Sequence, residues 1–319
     1  MADRPTIIYV NNAATTWPKP PEVLEAVRQS LVLPVFGSGR TTGSQGEDYI
    51  SLAREALSGL LAAGPPEHVI FTQNATDSLN VLIQGFLAAN GDGCHVITTE
   101  LDHNSVLRPL HELERQGRIQ LTVLPFEDGA VRPDTVEPAI TPETRLMVTA
   151  HGSNVLGSVQ DVSRIGEVLH DHGIFFIVDG AQTAGHIPIN LRDLPVDAYV
   201  FTGHKGFFGI PGTGGFYLRD PDSIAPVRYG GTGTDSFLLY QPHEMPERFE
   251  SGTHNYPGLA ALAAGVNYVA SVGVNAIAEK AERQMAFLVG ELKEEPNITI
   301  YNESPLLPIV SFNIHGMEN

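Results

Sequence analysis

The chain has 319 residues, with 19 Lys+Arg against 37 Asp+Glu and a formal net charge of −18. A surplus of that sign argues against nucleic acid and anionic membranes as main partners. The single cysteine, Cys94, excludes an internal disulfide framework and any multi-cysteine metal site.

The length leads us to expect two domains and a sizeable core. The N-terminal segment, residues 1–20, opens "MADRPTIIYVNNAATT" and lacks the basic and apolar blocks of a secretory leader. No apolar run reaches the ~18 residues of a membrane span, and a cytoplasmic location is expected. From there, short β-branched runs bounded by turn residues predict strands at 68–72, 95–100, 119–125, 145–151, 174–180 and 198–204. Between them, apolar residues recurring every three and four positions predict helices over 77–90, 105–117 and 161–173, the last stopped by Gly173. This alternation reads as α/β: a mostly parallel sheet flanked by helices, here over residues 21–255. "FFIV" is apolar on both faces, as a doubly covered sheet requires. A long helical stretch, about 256 to 295, then leads to "NITIYNESPLLPIVSFNIHG". Residues 256–319 are therefore expected to hold a connecting helix and the start of a smaller α+β domain that stops short at Asn319.

In open α/β sheets, ligands bind beyond the carboxyl ends of the strands. Those ends carry Thr72–Thr76, Glu100–Asn104, His151–Asn154, Asp179–Gln182 and Thr202–Lys205. Taken singly, Asp179 is most simply a cap for the turn after its strand, and Lys205 a solvated strand-end lysine. Together they put an acid and an amine on one rim of neighbouring strands. A lysine desolvated between "AYVF" and "GFFGI" has a lowered pKa and can form an imine with a carbonyl. An acid facing a pyridine nitrogen keeps that nitrogen protonated, and pyridoxal 5'-phosphate (PLP) needs this pair. Its phosphate also needs a site. "TQNATDSLN" opens a helix after a strand, with Asn74 or Thr76 as cap and Asp77 and Ser78 in the first turn. His103 can stack on a ring or simply be a hydrogen-bonded structural histidine, and His204 neighbours Lys205. The glycines of "GIPGTGG" (209–215) suit a phosphate cradle or a tight turn before "FYL". The histidines of "HDH" (170–172) do not share a helix face, so zinc is a poor fit, and no metal is expected.

The segments "YVNNAATTWPKP", "VIFTQNATDSLN", "ELDHNS", "SNVLGSVQDV", "VDGAQTAGHIPIN", "DAYVFTGHKGFFGIPGTGG" and "FESGTHN" occur in one order over about residues 8 to 256. In this the chain resembles the class V aminotransferases of PLP fold type I, in the cysteine desulfurase-like group. The resemblance implies a PLP enzyme acting on cysteine or a related amino acid. Lys205 would form the Schiff base and later move protons at the substrate α-carbon. Asp179 would face the ring nitrogen, Gln182 and Asn154 the ring hydroxyl, and His103 the ring face. Ala75, Thr76, Thr202 and His204 would hold the phosphate. Thr253 would reach the phosphate of a neighbouring subunit, because such enzymes are homodimers with shared sites. A sulfur-acceptor protein is the further partner implied.

The departures are as informative. Asn11 and Asn12 stand where the family usually writes an aspartate, and Gly43 stands where a pocket histidine is usual. Desulfurases carry a nucleophilic cysteine and a carboxylate-binding arginine in the C-terminal domain, and neither occurs before Asn319. Cys94 starts a strand, at the rim opposite Lys205, and reads as structural. Three readings stay open: a desulfurase whose thiol comes from elsewhere, a C–S β-lyase or other PLP chemistry without a thiol, and a degenerate PLP-binding subunit that needs a partner chain.

Overall fold

Strands apolar on both faces need helices on both sides. The computed structural model, which describes residues 7–32, 47–234 and 237–317, supplies them. The Gly43 position lies outside the described residues. Chain order runs α1 (Pro21–Val32), α2 (Tyr49–Leu61), β1 (Val69–Thr72), α3 (Ala75–Asn90), β2 (His95–Thr99), α4 (Asn104–Arg115), β3 (Gln120–Leu124), β4 (Thr144–Ala150), α5 (Val162–Asp171), β5 (Phe175–Asp179), β6 (Ala198–Thr202) and β7 (Gly214–Leu218). Then follow α6 (Tyr256–Val272), α7 (Val274–Lys293) and a small antiparallel pair, β8 (Ile298–Ile300) with β9 (Phe312–Ile314). The expected strands match to within one or two residues, and the expected mostly parallel sheet flanked by helices is observed.

The main sheet has the order β1-β7-β6-β5-β4-β2-β3. β7 alone runs against the others, antiparallel to both neighbours. Residues alternate between two cores. Phe175, Ile177 and Val200 face α3 and α4, while Phe176, Val178 and Tyr199 face α2, α5 and α6. Each five-residue central strand is buried throughout, as a sheet with no solvated face must be.

The long helical stretch is two helices, not one. Gly273, at φ +87°, breaks it, and α6 and α7 diverge by 76°. α6 is buried along most of its length among α1, α2 and the sheet, whereas α7 buries only Ala281 and Val289. Among the described residues no single helix is long and apolar enough to cross a membrane.

One buried ion pair ties α2 to the segment before α6. Arg54 donates from Nη1 and Nη2 to Glu250, at 2.9 Å each, and also contacts the Val69 carbonyl. Glu250 further accepts the Phe71 amide at 2.6 Å and lies 3.1 Å from His254 Nε2.

Candidate active site

Helix starts and strand ends converge on one side of the sheet. β6 stops at Thr202, and a hairpin loop carries the chain back into β7, with Gly203 N donating to Thr213 O at 2.9 Å. His204 and Lys205 sit in that loop rather than in the strand. Asp179 is the last residue of β5, and its Oδ1 accepts the Ala181 amide at 2.9 Å. Asn74, not Thr76, caps α3, accepting the Asp77 amide at 2.9 Å. Gly214 allows that helix start to sit against β7. A Cβ there would lie 2.6 Å from the Asn74 Cα.

These ends enclose a cavity of about 450 Å³. Its wall includes Ala75, Thr76, His103, Asn154, Asp179, Gln182, Thr202, His204 and Lys205. Of the ten residues assigned to the site from the family resemblance, Thr253 is elsewhere, in a second cavity of about 330 Å³ with Arg228 and His254. The glycines of loop 209–215 contribute nothing to the first wall. They serve the β6–β7 turn and its close packing instead.

Burial dominates the electrostatics. It pushes the Lys205 pKa down, and the Asp179 charge only partly opposes this. Burial likewise pushes Asp179 up, against the Ala181 amide and the charges of Lys205 and His103. His204 is held down at about 4 by burial, with Lys205 and Lys19 adding to the shift. Its imidazole is therefore neutral at pH 7, and its buried Nδ1 has no hydrogen-bond partner. Ala75 and Thr76 at the start of α3 line the same cavity, and the leading N–H groups of a helix have no partner within it. An anion with several acceptor oxygens would satisfy both.

Several residues that build the site carry no local sequence signal. The N-terminal segment clamps the His204 carbonyl, which accepts Thr16 N at 3.1 Å, Thr16 Oγ1 at 3.1 Å, Thr15 Oγ1 at 3.3 Å and Lys19 Nζ at 3.1 Å. Gln182 Nε2 donates to Ala13 O at 3.1 Å and holds the same segment over the cavity. Asp102 sits behind His103. Its carboxylate accepts Thr98 Oγ1, Thr99 N and Thr99 Oγ1 at 2.8 Å and Ala150 N at 2.5 Å, pinning the ends of β2 and β4 together. Burial lifts it to about 7 in spite of those donors. The one readable hint was its place beside His103 in "ELDHNS". Cys94 immediately precedes β2, which runs parallel with the strands that bring Asp179 and Lys205 to the opposite rim. Burial raises its thiol pKa, so the thiolate is disfavoured there.

The family model described as Aminotransferase class-V matches residues 8–319. A probable cysteine desulfurase of Halalkalibacterium halodurans is 32% identical, over 98% of this chain and 78% of its own length. A second, of Methanothermobacter thermautotrophicus, is 30% identical over 98% and 79%. The apo structure of cysteine desulfurase from Thermococcus onnurineus NA1 superposes with a TM-score of 0.88 at 30% identity, covering 98% of this chain and 80% of that one. The Escherichia coli cysteine desulfurase CsdA, in its S-sulfonic acid form, gives 0.84 at 26% identity over 96% and 78%.

Proposed function

The chain belongs to the class V aminotransferase family, in its cysteine desulfurase-like group, and from that premise we propose that the Lys205 cavity binds PLP and acts on the C–S bond of cysteine or a related amino acid. One observation carries the reading. Lys205 and Asp179 line one cavity together with the start of α3 and with His204, whose buried Nδ1 has no hydrogen-bond partner. Ala75, Thr76, Thr202 and His204 would hold the phosphate, and Asp179 the protonated ring nitrogen. His103 would lie against the ring, with Asn154 and Gln182 towards its hydroxyl.

Bound PLP supplies an electron sink for the pair left at the substrate α-carbon. The chain's own residues do the rest. The lowered pKa of Lys205 raises the fraction of neutral amine, which can attack a carbonyl and take a proton from the α-carbon. Asp179, held by the Ala181 amide, keeps a proton on the ring nitrogen. The clamp from Thr15, Thr16 and Lys19 fixes the peptide from which the Lys205 side chain springs. A homodimer accounts for Thr253, which lies outside this cavity and would serve the neighbouring subunit. Leu24 and Leu31 on α1, and Leu239 and Tyr240 between β7 and α6, are exposed apolar surface available for such an interface. A sulfur-acceptor protein would be the further partner.

Cys94, at the rim opposite Lys205, does not bring its thiol to this cavity, and a C–S β-lyase, whose chemistry needs no thiol, is the second reading. The two reactions leave different products. Desulfuration turns cysteine and a thiolate into alanine and a persulfide. Elimination turns cysteine and water into pyruvate, ammonia and sulfide. PLP added to the purified chain should give a visible absorption band that Lys205→Ala lacks, and no band in the parent refutes the cofactor reading. Product analysis with L-cysteine then separates the reactions, and the absence of both products favours a subunit that needs a partner chain.

A further inference from the structure

Three hydroxyl and imidazole groups on the cavity wall form one chain. Thr76 Oγ1, in the first turn of α3, lies 2.6 Å from Ser105 Oγ in the first turn of α4. Ser105 Oγ lies 2.8 Å from His103 Nδ1, which also accepts the Ser105 amide at 3.1 Å. Ser105 is 7% exposed, so water does not readily replace either partner.

A hydroxyl has one proton to give. A backbone N–H can only donate, so neutral His103 keeps Nδ1 as acceptor and carries its proton on Nε2. With the cradle free of anion, Thr76 can donate to Ser105, and Ser105 to His103. An anion oxygen at the start of α3 takes the Thr76 proton. Thr76 Oγ1 is then left as an acceptor, and the Ser105 proton turns to it. His103 Nδ1 loses one of its two donors and keeps the backbone amide.

We infer that Ser105 is a positioning residue that couples anion occupancy at Thr76 to the hydrogen bonding, and so the orientation, of His103. The inference rests on reading the start of α3 as the phosphate cradle. On that basis the ring-facing histidine is set by whether the phosphate end of the site is filled, before any amino acid arrives.

The test uses PLP-free protein uniformly labelled with 15N, titrated with inorganic phosphate at fixed pH, the His103 side-chain signal being assigned with His103→Gln. Phosphate should shift the Thr76 amide, and the His103 Nδ1 resonance should move downfield over the same concentration range. In Ser105→Ala the Thr76 shift should persist and the His103 shift should be lost. Ser105→Thr, which keeps the hydroxyl, should restore it. A His103 response that survives in Ser105→Ala, or one absent from the parent while Thr76 responds, overturns the coupling. No response at Thr76 overturns the cradle reading and the inference with it.

Discussion

The Arg54–Glu250 pair is a buried ion pair in which exchanging one carboxylate oxygen for an amide nitrogen should have a large consequence for stability. Both side chains are under one-tenth exposed. Glu250 accepts two guanidinium bonds and the Phe71 amide. Glu250→Gln keeps shape and one acceptor oxygen but leaves the Arg54 charge buried without a counter-ion. Breaking such a pair from one side costs about 3–5 kcal/mol. Arg54→Met combined with Glu250→Gln removes both charges while a glutamine oxygen can still accept from Phe71, so the double variant should be more stable than the sum of the two single losses. The pair also has a pH signature. Burial pushes Glu250 up, but the charge of Arg54 and the bonds from His254 and Arg54 outweigh it, and its pKa is lowered. That stabilisation is full above the unfolded carboxylate pKa and is lost as pH falls through the folded value, so the penalty of Glu250→Gln should shrink in acid. Equilibrium urea unfolding of the parent, both single variants and the double variant measures all of this. If Glu250→Gln lies within about 1 kcal/mol of the parent at pH 7, or the double variant loses as much as the singles combined, the reasoning fails.

Two further outcomes follow from the same packing. Burial lowers the His151 pKa to about 4, and its Nδ1 lies 3.1 Å from the Tyr199 hydroxyl and 3.2 Å from Thr183 Oγ1. The unfolded chain takes up that proton first, so stability should fall as pH drops from about 6.5 towards 4, by roughly 3 kcal/mol in all. Unfolding midpoints at pH 7 and pH 5 should converge in His151→Gln relative to the parent, and an unchanged acid slope would count against His151 as the source. Gly214→Ala puts a methyl 2.6 Å from the Asn74 Cα. It should cost about 1–3 kcal/mol and weaken PLP binding by moving the start of α3. A melting temperature and PLP affinity equal to the parent's would show that the helix start can give way freely.

The fold was legible because its signals are local. "IFFIVDG" and "AYVFTGH" are apolar on both faces, and that pattern belongs to strands covered on two sides whatever lies around them. The Asp179 and Lys205 rim was legible for the same reason, since parallel strands end on one side. The reversal of β7 was not, because "GGFYL" reads alike in either direction and only the hairpin after Lys205 fixes it. Nor was the break of the last long helix, where Gly273 reads as tolerable within an apolar repeat until its positive φ turns the chain.

The sequence by itself determined the layered sheet, the strand ends that gather the candidate site residues, and the lysine and acid among them, since each follows from residue type and spacing within one element. Only the tertiary structure decided what holds those groups in place. The His204 clamp comes from residues near the start of the chain, Asp102 joins β2 to β4, and Ser105 joins α4 to α3. Thr253 is set apart in its own cavity. A hydrogen bond is specified by distance and angle between two atoms, and for partners far apart in sequence no periodicity records them.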